Sequence, residues 1–150
     1  VLADEIISLK MSDTGKAYES HSALFLNTGS PHHVTKVAAV ADVDVFAEGR
    51  KKRNEYGPEG ANVNFVEVLN DEIFVRTYER GVEDETFSCG TGVTAAALVA
   101  HQMGWINAEN IPIKTPGGSL EVSFNATKTG YENVWLTGPA AFVFKGEIDI

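Results

Sequence analysis

The sequence predicts an α+β fold in which about eight strands wrap around one central buried helix. Strand-length runs rich in Val, Ile, Phe and Thr recur along the 150 residues and are separated by Gly, Pro and Asn turns. Residues 90–103 are apolar on nearly every helical face, which is typical of a helix surrounded by protein. Hydrophobic residues make up 43% of the chain, enough for one compact domain over residues 1–150.

The first half of the chain begins with two predicted strands, at residues 5–11 and 20–26, followed by the turn Asn27–Pro31. The Val- and Ala-rich segment 33–41 is compatible with either a strand or a short helix. Residues 42–53 begin with acidic side chains and end with basic ones, the order that favours a helix.

The second half continues with a predicted hairpin. Polar and apolar residues alternate over part of 62–69, and the turn Asn70–Glu72 leads into a β-branched and aromatic strand at 73–79. After the buried helix we expect four short strands, at residues 111–115, 119–125, 133–137 and 141–148.

Charge and cysteine content exclude several classes of protein. Twelve Lys and Arg against twenty-one Asp and Glu give a net charge of −9, which argues against nucleic acid or an anionic membrane surface as the main partner. The longest apolar stretch, residues 92–100, is too short to span a bilayer, and residues 1–5 do not resemble a secretory signal. The single cysteine, Cys89, fits a reducing compartment, so we expect a cytoplasmic protein. The chain does not begin with Met, which suggests a fragment of a longer protein.

Cys89 stands directly before Gly90-Thr91-Gly92 and the buried helix. Unpaired backbone N–H groups and the positive end of the helix dipole favour the thiolate form, so this sulfur could act as a base or nucleophile. The same N–H groups form an anion site suited to a carboxylate. Alternatively, the glycines only permit a tight turn and Cys89 fills space.

Other polar residues are candidates for a binding site. Glu79 and Arg80 could hold an ammonium and a carboxylate if the strand ends at Gly81, or they could be a solvated charge pair. Asn62 and Asn64 share one strand face and could bind a polar ligand.

Histidines offer a further candidate. His32 and His33 are expected in a loop after Gly29-Ser30-Pro31, where an imidazole could tune a thiol or be exposed and idle. The four histidines and one cysteine lack the spacing of a metal site, so we expect no metal.

Four motifs in this order resemble the C-terminal half of diaminopimelate epimerase. They are Gly29-Ser30-Pro31-His32, Pro58–Phe65, Tyr78-Glu79-Arg80-Gly81 and Ser88-Cys89-Gly90-Thr91-Gly92, and the ending Leu136–Ala140 is also similar. The resemblance implies cofactor-independent epimerisation of LL- to meso-diaminopimelate, in lysine and cell-wall precursor biosynthesis. It also implies a fold of two similar halves, each with a sheet around a central helix, and one thiol from each half.

The resemblance also implies roles for individual residues. Cys89 would be the thiol of the C-terminal half, and Gly90 and Thr91 would bind the carboxylate of the reacting centre. The substrate would be held by Asn62, Glu79 and Arg80, while His32 and Glu79 would modulate the thiols. Ser30 stands where the family usually has Asn, and the loop from Glu79 to Cys89 is one residue longer than usual.

The N-terminal half of such an enzyme is absent from these 150 residues. Inverting a fixed carbon needs a proton-transfer group on each face, so we expect the chain alone to be inactive. Its expected partners are diaminopimelate and the missing half, and the apolar face left open could also drive homo-oligomerisation.

Two other enzyme classes remain open, as does a ligand-binding domain with an inert cysteine. A proline racemase-like amino-acid racemase would share the thiol before a helix, although proline does not need the Glu79-Arg80 pair. A nucleophilic hydrolase would use Cys89 with His32, but the sequence offers no third orienting residue.

Overall fold

The computed structural model describes residues 5–148, which form one mixed sheet of eleven strands and two α-helices. The strands are β1 (Glu5–Lys10), β2 (Thr14–Gly15), β3 (Tyr18–Ser20), β4 (Ala23–Asn27), β5 (Pro31–Lys36), β6 (Asn62–Leu69), β7 (Glu72–Glu79), β8 (Asp84–Thr86), β9 (Asn110–Thr115), β10 (Gly118–Ala126) and β11 (Gly130–Ala140). The helices are α1 (Val45–Glu55) and α2 (Gly90–Gln102), and a 3₁₀ turn covers Val40–Asp42.

The sheet has the order β1-β11-β10-β9-β7-β6-β5-β4-β3, with β2 paired to β11 and β8 paired to β7. Within residues 5–148, only the β5–β6 and β7–β9 pairs are parallel. A parallel pair needs a crossover connection, and here each crossover contains a helix: α1 between β5 and β6, and α2 between β7 and β9. The two crossover units share the β6–β7 hairpin.

Helix α1 covers one face of this hairpin. Asp44 caps its N-terminus, because the side chain accepts a hydrogen bond from the Ala47 N–H at 3.0 Å. Gly49 lies so close to the Tyr78 ring that a β-carbon there would overlap the ring. The apolar cluster on this side includes Val63 and Phe65 of β6.

Helix α2 lies on the opposite face, in the main core. Every residue from Gly92 to Ala100 is buried, and the helix contacts β4, β5, β6, β7, β9, β10 and β11. Its small side chains let strands approach from several directions, so an apolar surface on nearly all sides is what this position requires. Strand β6 alternates accordingly, with Val66 in the α2 core and Val63 in the α1 cluster.

The predicted fold class is wrong. About eight strands around one central helix were expected, whereas residues 5–148 form an eleven-stranded sheet with two helices. Strands β2, β3 and β8 are two or three residues long, too short to produce a hydrophobic alternation that a sequence can reveal. Helix α1 covers the face of the sheet opposite α2. The fold is therefore not a set of strands wrapped around α2 alone.

Individual elements also differ from expectation. The predicted strand 20–26 is a hairpin of β3 and β4, because His21 and Ser22 adopt positive φ angles of 49° and 60° and turn the chain. The ambiguous segment 33–41 contains most of β5 and the start of the 3₁₀ turn. The predicted strand 141–148 is wrong: these residues are exposed and pair with no strand within residues 5–148, and a β-rich composition does not form a strand without a partner.

The expected absence of a secretory signal concerns residues 1–5, of which 1–4 lie outside the described residues. Neither helix within residues 5–148 is long and apolar enough to cross a membrane.

Candidate active site

The topology brings the predicted site residues to one edge of the sheet. Strands β5 and β6 are parallel, so their first residues lie side by side, with His32 opposite Asn62. Strand β7 is antiparallel to β6, so its last residue, Glu79, reaches the same edge. The N-terminus of α2, which follows Cys89, meets this edge as well, since Thr91 contacts His32.

A chain of short contacts links the cysteine to the histidine. Cys89 is the N-cap residue of α2 and only 8% exposed, and its Sγ lies 3.6 Å from Thr91 Oγ1. Thr91 Oγ1 lies 2.9 Å from His32 Nε2 and 3.0 Å from Ser30 Oγ. Ser30 Oγ is itself 2.9 Å from His32 Nε2, so three polar groups meet next to the sulfur.

The expectation that the helix terminus holds Cys89 as a thiolate is wrong in direction. Burial raises the pKa of the Cys89 thiol above its ordinary value, and the Glu79 carboxylate acts the same way. Hydrogen bonds from the Thr91 hydroxyl and the backbone N–H groups of Gly92 and Thr91 lower this pKa, but not enough to reverse the effect of burial. At neutral pH Cys89 is therefore a thiol that can donate a proton.

His32 was expected in a loop, and this is wrong: it lies on β5 and is fully buried. Pro31 is tolerated as the first residue of a strand, and the chain then pairs with β4 on one side and β6 on the other. Burial, together with the charge of Arg80, lowers the pKa of His32 to about 3. The imidazole is therefore neutral, and it acts on the site through hydrogen bonds.

His33 was also expected in the loop, and this too is wrong. It points to the opposite face of the sheet, where its Nδ1 lies 2.8 Å from the Tyr56 hydroxyl. Burial lowers the pKa of His33 to about 4. His33 is therefore separate from the site around Cys89.

Asn62 holds parts of the site together. Its amide nitrogen donates to Ser30 Oγ at 3.2 Å and to the Pro31 carbonyl at 3.1 Å, and its Oδ1 accepts the Arg80 backbone N–H at 2.9 Å. Both amide hydrogens are thus used within the chain, and Asn62 fixes the end of β7 relative to Ser30.

Glu79 and Arg80 both reach the site edge because β7 ends there. Gly81 has a φ of +95°, which turns the chain toward β8. The hydroxyl of Thr86, on β8, donates to Glu79 Oε2 at 2.8 Å. The Arg80 guanidinium donates to the Glu59 carbonyl at 3.0 Å. Both residues are half-buried.

Two residues behind the site, Asn64 and Thr77, make hydrogen-bond contacts that the sequence did not predict. Asn64 contacts His32, and Thr77 contacts Asn64. Asn64 was singled out only as a possible ligand contact. The observed turn at residues 70–71 places Thr77 directly opposite Asn64, whereas the predicted turn at 70–72 would have placed it opposite Phe65, one step out of register.

Close packing explains the glycines of the Gly90-Thr91-Gly92 motif. A β-carbon on Gly92 would overlap Asn64 Oδ1, and one on Gly90 would lie 3.1 Å from the Leu136 side chain. Close approach of Asn64 to the first turn of α2 therefore requires glycine at position 92.

Two cavities of the described structure lie away from Cys89. A cavity of about 590 Å³ lies between β3, β4, β5 and the end of α2, and another of about 540 Å³ adjoins Thr86 and Phe87. Cys89 lines neither of them. Within residues 5–148, no three His, Cys, Asp or Glu side chains are grouped so that they could hold a metal ion.

The chain is similar to known proteins over most of its length. The family model described as diaminopimelate epimerase matches residues 24–143. The chain is similar to curated proteins named diaminopimelate epimerase: it is 47% identical to the one from Flavobacterium psychrophilum over 97% of the chain and 58% of that protein. It is 41% identical to the one from Chlorobaculum tepidum over 84% of the chain and 49% of that protein. The chain thus spans about half the length of these relatives.

Solved structures agree at the level of fold. A phenazine biosynthesis protein of the PhzF family from Enterococcus faecalis superposes with a TM-score of 0.53 at 16% identity, over 82% of this chain and 41% of that one. One from Bacillus anthracis gives 0.51 at 17% identity, over 83% and 38%. At such identities these two share only the fold. The family match and the high-identity relatives confirm the resemblance stated from the motifs: this chain belongs to the diaminopimelate epimerase family.

Proposed function

We propose that this chain provides one thiol and most of one half-site of a cofactor-independent enzyme that converts LL- to meso-diaminopimelate. The observation that carries the proposal is the placement of Cys89 at the N-terminus of α2, joined through Thr91 to the buried His32. Membership of the family, whose curated members bear the name diaminopimelate epimerase, supports the substrate. The product would serve lysine and cell-wall precursor synthesis, in the cytoplasm, where Cys89 stays reduced.

The proton transfers follow from the state of Cys89. A base on the opposite face of the α-carbon removes the Cα proton, and the Cys89 thiol delivers its own proton to the face it occupies, which inverts the centre. The raised pKa of Cys89 supports this donor role. In the reverse direction Cys89 takes the proton back and acts as the base.

The carboxylate of the reacting centre needs positive partners, because negative charge develops on it when the Cα proton leaves. First-turn N–H groups of a helix have no acceptor within the helix, so those of Gly90 and Thr91 can bind this carboxylate, the Thr91 N–H being shared with Cys89 Sγ. Glu79 and Arg80, half-buried at the same edge, offer opposite charges for the ammonium and carboxylate groups of the substrate.

A hydrolase that pairs Cys89 with His32 fits less well. Its histidine would have to accept the thiol proton, but the pKa of His32 is lowered to about 3. Thr91 also stands between the imidazole and the sulfur. These two facts favour proton transfer by the thiol over attack by a Cys–His pair.

The second base has to come from outside these 150 residues. One thiol reaches one face of a bound carbon, and the chain spans about half the length of its curated relatives. We infer that the part of the relatives that this chain does not match supplies the other group.

The test compares the chain alone with a chimera in which it replaces the matching 148 residues of the Flavobacterium psychrophilum relative. Both are incubated with LL-diaminopimelate in D₂O, and deuterium at the α-carbon is followed by NMR and mass spectrometry. We expect uptake with inversion by the chimera and none by the chain alone. Inversion by the chain alone, or no uptake by a folded chimera, would refute the proposal.

A further inference from the structure

The orientation of the Asn64 amide is set by a backbone carbonyl. Asn64 is fully buried, and its Nδ2 lies 3.0 Å from the carbonyl oxygen of His33. A carbonyl oxygen only accepts hydrogen bonds, so the atom that faces it must be the amide nitrogen and not the amide oxygen. One of the two amide hydrogens is used in this bond.

The second amide hydrogen determines where His32 carries its proton. Asn64 Nδ2 lies 3.1 Å from His32 Nδ1, so Nδ1 has to present a lone pair and accept. A neutral imidazole has one N–H, which must then be on Nε2. The neutral form is the one expected here, since His32 is fully buried and near Arg80.

Thr77 completes this arrangement from the neighbouring strand. It pairs with Asn64 in the β6–β7 register, and its hydroxyl donates to Asn64 Oδ1 at 3.0 Å. Flipping the amide would place its NH₂ group against this hydroxyl and its oxygen against the His33 carbonyl. The second of these contacts is repulsive, so the amide holds one orientation.

The position of the His32 proton affects how the hydroxyl protons near the sulfur are shared. Ser30 Oγ, Thr91 Oγ1 and His32 Nε2 lie within 3.0 Å of one another. When Nε2 donates, the ring takes no hydroxyl proton, so Ser30 can donate to Thr91 and Thr91 to Cys89 Sγ. If Nε2 accepted instead, the ring would take one of the two hydroxyl protons. The one hydroxyl proton left could then serve either the Ser30–Thr91 contact or the Thr91–Cys89 contact, but not both.

We propose that Asn64, held by Thr77, is a positioning residue that keeps His32 in its Nε2–H tautomer and thereby leaves the Thr91 hydroxyl free to donate to Cys89 Sγ. Its catalytic meaning rests on the proposed function, whereas the hydrogen-bond chain does not depend on any substrate. Asn64 makes its hydrogen bonds to His32, His33 and Thr77 and not to the sulfur, so it acts through His32 and Thr91.

The direct test is NMR on the 150-residue chain with ¹⁵N-labelled histidine and asparagine. At pH 7 we expect His32 to show the ¹⁵N shifts of a neutral Nε2–H imidazole. We also expect a scalar coupling across the hydrogen bond between Asn64 Nδ2 and His32 Nδ1. A His32 that carries its proton on Nδ1 would overturn the inference without any variant.

Matched variants test the role of Asn64. Asn64→Asp replaces the donor to Nδ1 with an acceptor, so His32 should carry its single proton on Nδ1, and the pH midpoint for alkylation of Cys89 should rise. Asn62→Asp adds the same charge two residues earlier on the same strand face but does not face Nδ1. It should keep the Nε2–H tautomer and raise the midpoint less. Retention of the Nε2–H form in folded Asn64→Asp, or equal midpoints in the two variants, would overturn the proposal.

Thr77 variants decide the outcome if Asn64→Asp fails to fold. Thr77→Val removes the hydroxyl that holds Asn64 Oδ1, so the coupling between Asn64 and His32 should weaken or vanish, and Thr77→Ser should restore it. An unchanged coupling in Thr77→Val would overturn the role of Thr77.

The chimera separates this inference from the proposed function. If a folded chimera takes up no deuterium from D₂O while His32 shows the Nε2–H tautomer, the proposed function fails and the positioning role stands. If the chimera is active but His32 shows Nδ1–H, the positioning role fails alone.

Discussion

At the scale of single residues, the protonation of Cys89 is a balance between burial and three hydrogen bonds. Burial and the nearby Glu79 carboxylate disfavour the thiolate, whereas the Thr91 hydroxyl and two backbone N–H groups favour it. Because the hydroxyl and the carboxylate act in opposite directions, substitutions at these two positions should move the Cys89 pKa in opposite directions.

Thr91→Val removes a hydrogen bond to the charged form of the sulfur and should raise the pH midpoint of Cys89 alkylation. Glu79→Gln removes a nearby negative charge and should lower the midpoint. The measurement is the rate of iodoacetamide modification against pH. Thr94→Val is the control, because that hydroxyl donates to the Gly90 carbonyl and not to the sulfur. Shifts of the same sign for the first two variants would contradict this account of the thiol.

Gly92 is a second residue whose identity is explained by one contact. Gly92→Ala would drive a methyl group into Asn64 Oδ1, so Asn64 or the first turn of α2 must move. We expect a loss of about 1–3 kcal/mol in the free energy of unfolding, measured by urea denaturation. Gly146→Ala, where an added β-carbon meets nothing within 4 Å, should leave stability nearly unchanged. Equal effects of the two substitutions would show that Asn64 does not need this space.

At the scale of elements, strand β5 carries two histidines that are buried and neutral. Their pKa values, lowered to about 3 for His32 and about 4 for His33, lie below the unfolded value of about 6.5. Below pH 6.5 the unfolded chain therefore binds more protons than the folded one. Stability from these two side chains is fully present above that pH and is lost as the pH falls, down to about 4 for His33 and about 3 for His32.

His33→Leu should reduce this acid sensitivity. Each buried histidine contributes a slope of up to about 1.4 kcal/mol per pH unit to the free energy of unfolding between pH 6.5 and its folded pKa. Urea denaturation at several pH values from 7.5 to 4.5 measures the slope. Below pH 6.5 the slope should be smaller in the variant by close to the contribution of one histidine. Above pH 7 the histidines should contribute no slope in either protein. An unchanged slope below pH 6.5 would mean that His33 is not buried in its neutral form.

The short strand β8 depends on an ion pair to stay on β7. Arg76 binds both carboxylate oxygens of Glu85, at 2.6 and 2.7 Å, and also donates to the carbonyls of Val40 and Val43. Because β8 also carries Thr86, which holds Glu79, this pair connects packing to the site.

Arg76→Met should therefore cost about 1–3 kcal/mol in the free energy of unfolding, since it leaves Glu85 and two carbonyls without their donor. Lys114→Met is the matched control: it breaks a pair with Glu72 in which the lysine is half exposed, and it should cost less than about 1 kcal/mol. Thermal unfolding of both variants provides the comparison. A larger loss for Lys114→Met would contradict the assigned role of Arg76.

At the scale of the whole molecule, the sequence predicted which residues meet better than it predicted how the sheet is built. Cys89, Thr91, Ser30, His32 and Asn62 do come together, because local motifs mark strand starts and a helix start that the topology joins. The buried helix at 90–103 and the hairpin around residues 70–72 were also predictable from local pattern.

What failed depends on long-range pairing and on burial. Strand β8 is too short to have a pattern of its own, and residues 141–148 read as a strand but have no partner within the described chain. The sign of the Cys89 pKa shift could not be predicted, because the helix terminus is visible in the sequence whereas the depth of burial is not. The same holds for the buried neutral state of His32.

The central claim is that Cys89 serves one face of the α-carbon, and stereochemistry tests it most directly. The measurement follows deuterium incorporation from D₂O into LL- and meso-diaminopimelate, in separate reactions, by the chimera with Cys89 intact and by its Cys89→Ala variant. The account predicts that the intact chimera forms the deuterated opposite epimer from either substrate, while Cys89→Ala inverts neither. Inversion at an undiminished rate by Cys89→Ala would contradict it.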